Sequence, residues 1–152
     1  MMLSIKRGLF MRIAIGSDHA GFELKEFIKL HLEKSGHEVE DFGTFSKSTA
    51  DYPDFAKKVA SSVAADFSDM GVLVCGSGVG MCMAANRYRG VRAAVLRSVE
   101  DAKLSRSHND ANVACLGARL TAKSDALALI DAFFSESFEG GRHLDRIKKI
   151  EI

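Results

Sequence analysis

Five short β-branched or apolar runs alternate with longer stretches of helical periodicity, and few architectures accommodate that alternation. The runs cover residues 12–17, 37–42, 71–75, 91–96 and 112–117. The helical stretches cover 21–35, 54–68, 81–88, 99–107, 124–134 and 142–150. In the first of them Leu24, Phe27, Ile28 and Leu32 form one stripe, and Gly36 stands where a helix ends. In the second, Phe55, Val59, Val63 and Phe67 recur four apart. The run 71–75, GVLVC, has no polar position, as expected of a strand covered on both faces. Strands that alternate with helices imply βαβ units, so the chain is expected to adopt an α/β fold around a five-stranded, mainly parallel sheet. Such sheets bind ligands outside the carboxyl ends of their strands. Three polar or glycine-rich stretches, 16–21, 75–80 and 107–112, adjoin strand ends and read as loops of one rim.

Composition narrows the function classes. With 152 residues the chain suits a single domain, read here as 11–152, because Met11 directly precedes the first strand. Residues 1–10 then form an extension that lacks the apolar core and cleavage site of a secretory leader. A formal net charge of +1 gives no support to nucleic-acid binding. The apolar runs are too short to span a bilayer. Cys75, Cys82 and Cys115 are odd in number and widely spaced, which argues for reduced thiols and a cytoplasmic location. The five histidines show no metal-ligand spacing, so no metal is expected.

Four constellations carry chemistry. The first is Cys75-Gly76-Ser77-Gly78-Val79-Gly80, a thiol at the end of a buried strand followed by glycines that open a helix. Glycines let a backbone approach a ligand, and unpaired N–H groups there favour negative charge and a thiolate. The spacing is G-x-G-x-G, neither the dinucleotide fingerprint nor a phosphate-binding loop with its lysine. The second is Asp18-His19 after the first strand, which can handle protons or bind an anion, although Asp18 in isolation reads as a helix cap. The third is His108-Asn109-Asp110, which suits a site but, on sequence alone, reads slightly more readily as a solvated turn. The fourth is Arg142 and Arg146, four apart on one helix face, with Arg119 past the fifth strand as a further cation. Paired guanidiniums can grip phosphate, although most such pairs are solvated surface charge.

Taken together, these stretches resemble the type B ribose-5-phosphate isomerases and related sugar-phosphate isomerases. The resemblance rests on IGSDHAGF from Ile15 onward, Asp51-Tyr52-Pro53, the glycine loop from Cys75 to Gly80, Ala84-Ala85-Asn86, His108-Asn109-Asp110 with Asn112, and Gly140-Gly141-Arg142-His143. They stand in the family order and cover nearly the whole of residues 12–150. The resemblance implies a Rossmann-like three-layer αβα sandwich that dimerises, often to tetramers, and that needs no metal or organic cofactor. It implies proton transfer between C1 and C2 of an open-chain sugar phosphate through a cis-enediolate, with Cys75 as the base. Asp18, Ser77 and His108 match the ring-opening groups. The backbone of Gly76, Gly78, Val79 and Gly80, with Asn109, matches an oxyanion hole. Tyr52 matches a wall on the sugar side, and His19, Arg119, Arg142 and Arg146 match the phosphate clamp. Family members without the cysteine use a glutamate where this chain has Met81, which cannot accept a proton.

The resemblance also implies a site shared between two subunits of a homodimer, the final helix and His108 reaching the partner's glycine loop. Three other readings stay open on sequence alone. One is a hexose 6-phosphate isomerase acting on galactose or allose 6-phosphate. Another is a non-catalytic subunit of such an enzyme. The last is a nucleotide-binding module built on the glycine loop.

Overall fold

The computed structural model describes residues 10–152; the extension read as residues 1–10 lies outside them apart from Phe10, which is exposed. The elements are β1 (Arg12–Ser17), α1 (Phe22–Lys34), β2 (Glu38–Asp41), α2 (Tyr52–Ala64), β3 (Met70–Cys75), α3 (Val79–Ala85), β4 (Ala93–Val95), α4 (Val99–Ser107), β5 (Val113–Gly117), α5 (Lys123–Ser135) and α6 (Arg142–Lys148). Every strand pairing is parallel, and the order across the sheet is β2-β1-β3-β5-β4.

Handedness decides which face each helix covers. A crossover between parallel strands is right-handed, so a step in one direction across the sheet puts its helix on one face and a step back puts it on the other. The steps β1 to β2 and β4 to β5 run one way, while β2 to β3 and β3 to β4 run the opposite way. Accordingly Leu24, Ile28 and Leu32 of α1 and Ala102 of α4 share a core with Ile13, Ile15, Val72, Val74 and Leu116, and α5 adds Ile130 and Phe133 to it. Ala56, Val59 and Val63 of α2 and Met81 and Ala85 of α3 share the other core with Ala14, Leu73, Cys75 and Cys115. Alternate residues of each strand feed opposite cores, which gives the Rossmann-like αβα sandwich. All six residues of β3 are buried, as the unbroken apolar run requires of a central strand.

Some boundaries depart from the periodicity, each for a local reason. Helix α1 ends as read, because Gly36 (φ +91°) donates to Glu33 O and His37 to Leu32 O, the paired bonds of a left-handed helix stop. Helix α2 starts at Tyr52, with Pro53 in its first turn, and ends at Ala64 rather than at residue 68. Asp66 is left-handed (φ +60°), and the buried hydroxyls of Ser62 and Ser68 bond each other at 2.7 Å. Phe67, read as the last member of the stripe, therefore stands 73% exposed. Strand β4 is half its expected length because the Asn86 side chain occupies its edge. The Asn86 amide donates to Ala93 O (2.9 Å) and accepts from Ala93 N (2.8 Å), which blunts an edge strand.

A buried ion pair ties the loop after β2 to the end of β1. Lys25 is fully buried. Its ammonium lies 2.7 and 2.8 Å from the Asp41 carboxylate oxygens, 2.9 Å from Glu26, and over the rings of Phe22 and Phe45. Asp41 also accepts the Gly43 N–H at 2.9 Å. Gly43 O in turn takes the Ser17 N–H at 2.7 Å, and Thr44 N–H reaches Ser17 O at 2.8 Å. The segment beside Asp18 is thus held by a charge that water cannot reach. Among the described residues no helix is long and apolar enough to cross a membrane. Asp41→Ala should leave the buried ammonium with Glu26 as its sole carboxylate and lower the unfolding free energy by about 3 kcal/mol in urea titrations. A loss below about 1 kcal/mol, the worth of an exposed pair, would show that the pair anchors nothing.

Candidate active site

The chain leaves β1 and β3 on opposite faces, so a crevice opens between their carboxyl ends. A cavity of about 300 Å³ lies there, lined by Asp18, Tyr52, Cys75, Gly76, Ser77, Gly80, Arg119 and Leu120. All but Leu120 are residues that the sequence singled out. Cys75 is 4% exposed, and its sulfur accepts the Gly78 N–H at 3.1 Å. Gly78 sits at φ +81°, where a side chain is strained, and a Cβ would also stand 3.0 Å from the Leu116 carbonyl carbon. That left-handed turn aims the Gly78 N–H back at the sulfur. Ser77 is exposed, and its hydroxyl accepts the Val79 N–H at 3.2 Å. Gly76 and Gly80 leave space for neighbours: a Cβ would meet the Arg119 guanidinium at 2.8 Å and the Tyr52 ring at 2.7 Å. Backbone bonds from Ala118 N to Cys75 O and from Arg119 N to Gly76 O lock the β5 end against the glycine loop.

On the other side of the cavity, Asp18 is buried and uses Oδ1 to accept the Gly21 N–H at 3.0 Å. It closes the turn into α1, but Gly21, not Asp18, is the residue at the helix cap. His19 Nδ1 lies 3.1 Å from Ala50 N and 3.2 Å from Ala50 O, which fixes the ring against the loop before α2.

The other predicted residues do not join this cavity within one chain, and the reading of three loops on one rim is corrected. Gly71 pairs with Val113 and Cys75 with Gly117, so His108 and Asn109, which precede β5, lie at the amino ends of the strands. Four strand steps, about 13 Å of sheet, separate the two rims. Asp110 is structural there. It takes Arg106 at 2.9 Å and Arg92 at 3.1 Å, and this fixes a left-handed turn (φ +47°). The final segment packs on the same far rim: Glu139 N bonds Ser107 O, and the His143 ring stacks on His108 at 4.4 Å. Arg142 and Arg146 are exposed on α6 and make no ion pair among the described residues. The residues that the sequence singled out therefore fall into two groups at opposite ends of one sheet.

Sequence reasoning missed the His108–His143 stack and Arg97. Arg97 follows β4 at the carboxyl rim and donates to Ser77 O at 2.7 Å. A lone arginine after a strand carries no spacing signal. His108, Glu139 and His143 also form the one cluster of potential metal ligands among the described residues. The two histidine rings stack 15° from parallel, with His108 Nε2 at 3.9 Å and His143 Nε2 at 3.4 Å from the same Glu139 carboxylate oxygen.

Comparison with known proteins decides the family. Residues 13–150 match the model of the Ribose/Galactose Isomerase family. This chain belongs to that family. It is 45% identical over 139 residues to ribose-5-phosphate isomerase B of Escherichia coli (strain K12), covering 91% of this chain and 93% of that one. A ribose 5-phosphate isomerase from Thermotoga maritima superposes with a TM-score of 0.91 at 52% identity, over 93% of this chain and 97% of that one. The ribose-5-phosphate isomerase B of Mycoplasma genitalium, solved with bound ribulose-5-phosphate, superposes at 0.89 with 45% identity, over 93% of each chain. As a member of the ribose/galactose isomerases, the chain should tolerate change in the glycine loop poorly. Gly78→Ala should cost about 2 kcal/mol, the strain of a left-handed residue added to a backbone clash. Thermal unfolding of this variant should fall by several degrees. An unchanged melting temperature would refute the strained-turn account.

Proposed function

We propose that this chain interconverts ribose 5-phosphate and ribulose 5-phosphate, in the cytoplasm and without metal or organic cofactor. The observation that carries the reading is a thiol on the wall of a cavity of about 300 Å³ that also holds the Asp18 carboxylate and the Arg119 guanidinium. The relative with bound ribulose-5-phosphate supports the substrate class.

In this reaction the Cys75 thiolate takes the C2 proton of the open-chain aldose. The electron pair moves to the carbonyl and forms a cis-enediolate. The proton returns at C1, and the hydroxyl proton passes from O2 to O1, so no atom is gained or lost. Those N–H groups of the glycine loop, from Gly76 to Gly80, that are not already bonded to Cys75 or Ser77 stabilise the developing negative charge as an oxyanion hole. Asp18 and Ser77 relay the hydroxyl proton during ring opening, and Tyr52 walls the sugar. His19 and Arg119 hold the phosphate. Cys75→Ala should therefore reduce turnover roughly 10²–10⁴-fold. Isothermal titration should still detect sugar-phosphate binding to it. A coupled assay against ribose 5-phosphate, galactose 6-phosphate and allose 6-phosphate tests both claims. Near-normal turnover by the variant, or preference for a hexose phosphate, would overturn the reading.

The rest of the site comes from a second copy of the chain. His108 is about 13 Å of sheet away from Cys75 in its own chain, too far to open a ring held at that sulfur. A two-fold that apposes the far rim of one protomer to the near rim of the other supplies His108, Asn109, Arg142 and Arg146 of the partner subunit, and gives two equal sites. The exposed guanidiniums of α6, without ion pairs among the described residues, support an anion as their occupant. Subunit mixing tests this. Cys75→Ala chains and Arg142→Ala/Arg146→Ala chains, each nearly inactive, should regain activity when co-folded, because a hybrid dimer holds one intact site. Hybrids detected by native mass that stay as inactive as the parents would show that each chain carries its own complete pocket.

A further inference from the structure

One peptide unit connects Arg97 to the Cys75 sulfur. The carbonyl of that unit, Ser77 O, accepts from the Arg97 guanidinium at 2.7 Å. The amide of the same unit, Gly78 N–H, donates to Cys75 Sγ at 3.1 Å, closer than the van der Waals contact of nitrogen and sulfur. A peptide is planar and conjugated, so a cation on its oxygen draws electron density from its nitrogen and strengthens the N–H as a donor. The same bond restrains the peptide from rotating about its flanking dihedrals, and Gly78, which lacks a Cβ, needs that restraint.

We infer that Arg97 is a positioning residue for Cys75, which orients and polarises the Ser77–Gly78 peptide so that its N–H holds the sulfur as thiolate. The inference rests on the reading of Cys75 as the base, but it concerns the sulfur itself and can be tested without turnover. The other groups that face Cys75 are Asp18 after β1, Tyr52 at the start of α2, Cys115 on β5 and Arg119 beyond it. None of these is altered by substitution at residue 97, which lies on the exposed rim.

The test is the pH dependence of iodoacetamide alkylation at Cys75, followed by peptide mass so that Cys82 and Cys115 are scored separately. Polarisation through one hydrogen bond strengthens the next by a modest fraction, so Arg97→Gln should slow Cys75 alkylation at pH 7 roughly two- to fourfold. The whole rate profile should move to higher pH. Arg97→Lys, which keeps a cation able to reach the carbonyl, should restore most of the loss. Circular dichroism and the Cys82 rate should not change in either variant. An Arg97→Gln profile that superimposes on the wild type, or a lysine variant as impaired as the glutamine one, would overturn the inference. If alkylation shifts as expected while Cys75→Ala remains active, the relay stands and the base assignment fails. If Cys75→Ala is inactive and alkylation does not shift, the reverse holds.

Discussion

A parallel sheet with right-handed crossovers has two unlike rims, and everything about this site depends on that asymmetry. Loops leaving strands gather at the carboxyl rim, where the β1 and β3 connections part to opposite faces and open a crevice. Loops entering strands gather at the other rim. Cys75 ends β3 and His108 precedes β5, so the two lie on opposite rims however the loops adjust. No loop rearrangement short of unpairing β3 from β5 would bring them together in one chain. An enzyme that uses both must take one from a second copy, and symmetry then makes the arrangement reciprocal at no extra cost in sequence.

On each rim the turns are set in place by buried polar groups. On the far rim Asp110 draws Arg92 and Arg106 into one turn. The Arg106 guanidinium, 5% exposed, is pulled below its usual range by burial, and Asp110 works against that pull. The turn those arginines lock is the one that carries His108 and Asn109. On the near rim the buried Lys25–Asp41 pair holds residues 43 and 44 against the end of β1, one residue from Asp18. Buried charges are costly unless fully partnered, so they restrict a loop to a single arrangement more sharply than apolar contacts do.

The fold was almost wholly legible, because strand and helix periods, the apolar run of β3 and the position of Gly36 are local signals. Six of the seven lining residues named in advance also follow from locality, since each lies within a few positions of a strand end, while Tyr52, at the start of α2, came from the family resemblance. What was not legible is spatial. The reading of three loops on one rim overlooks chain direction, since the His108 loop enters β5 and in a parallel sheet that alone sets it at the amino ends. Phe67 continued a four-residue period that the Ser62–Ser68 hydroxyl pair interrupts. The Asn86 amide shortened β4 from the side. Arg97 acts through a carbonyl contributed by a different loop, and a contact of that kind leaves no pattern in sequence.

The three cysteines show why geometry has to precede acidity in assigning a base. Cys82 has the thiol drawn down to about 7, first by a hydrogen bond from Cys115 and then against the opposing effect of burial, with Val95 and Asn86 helping. Cys115, fully enclosed, is pushed well up by that same contact and by desolvation. Acidity alone would nominate Cys82. Yet Cys82 Sγ lies 3.4 Å from Ala93 O at the β4 edge, and it is absent from the cavity that Asp18, Tyr52 and Arg119 share with Cys75. A base must lie within reach of the proton it removes before its acidity matters. The same point constrains any thiol titration of this enzyme. A bulk titration would mix the Cys82 thiol with Cys75, so only a measurement resolved to the Cys75 peptide reports on the sulfur in that cavity.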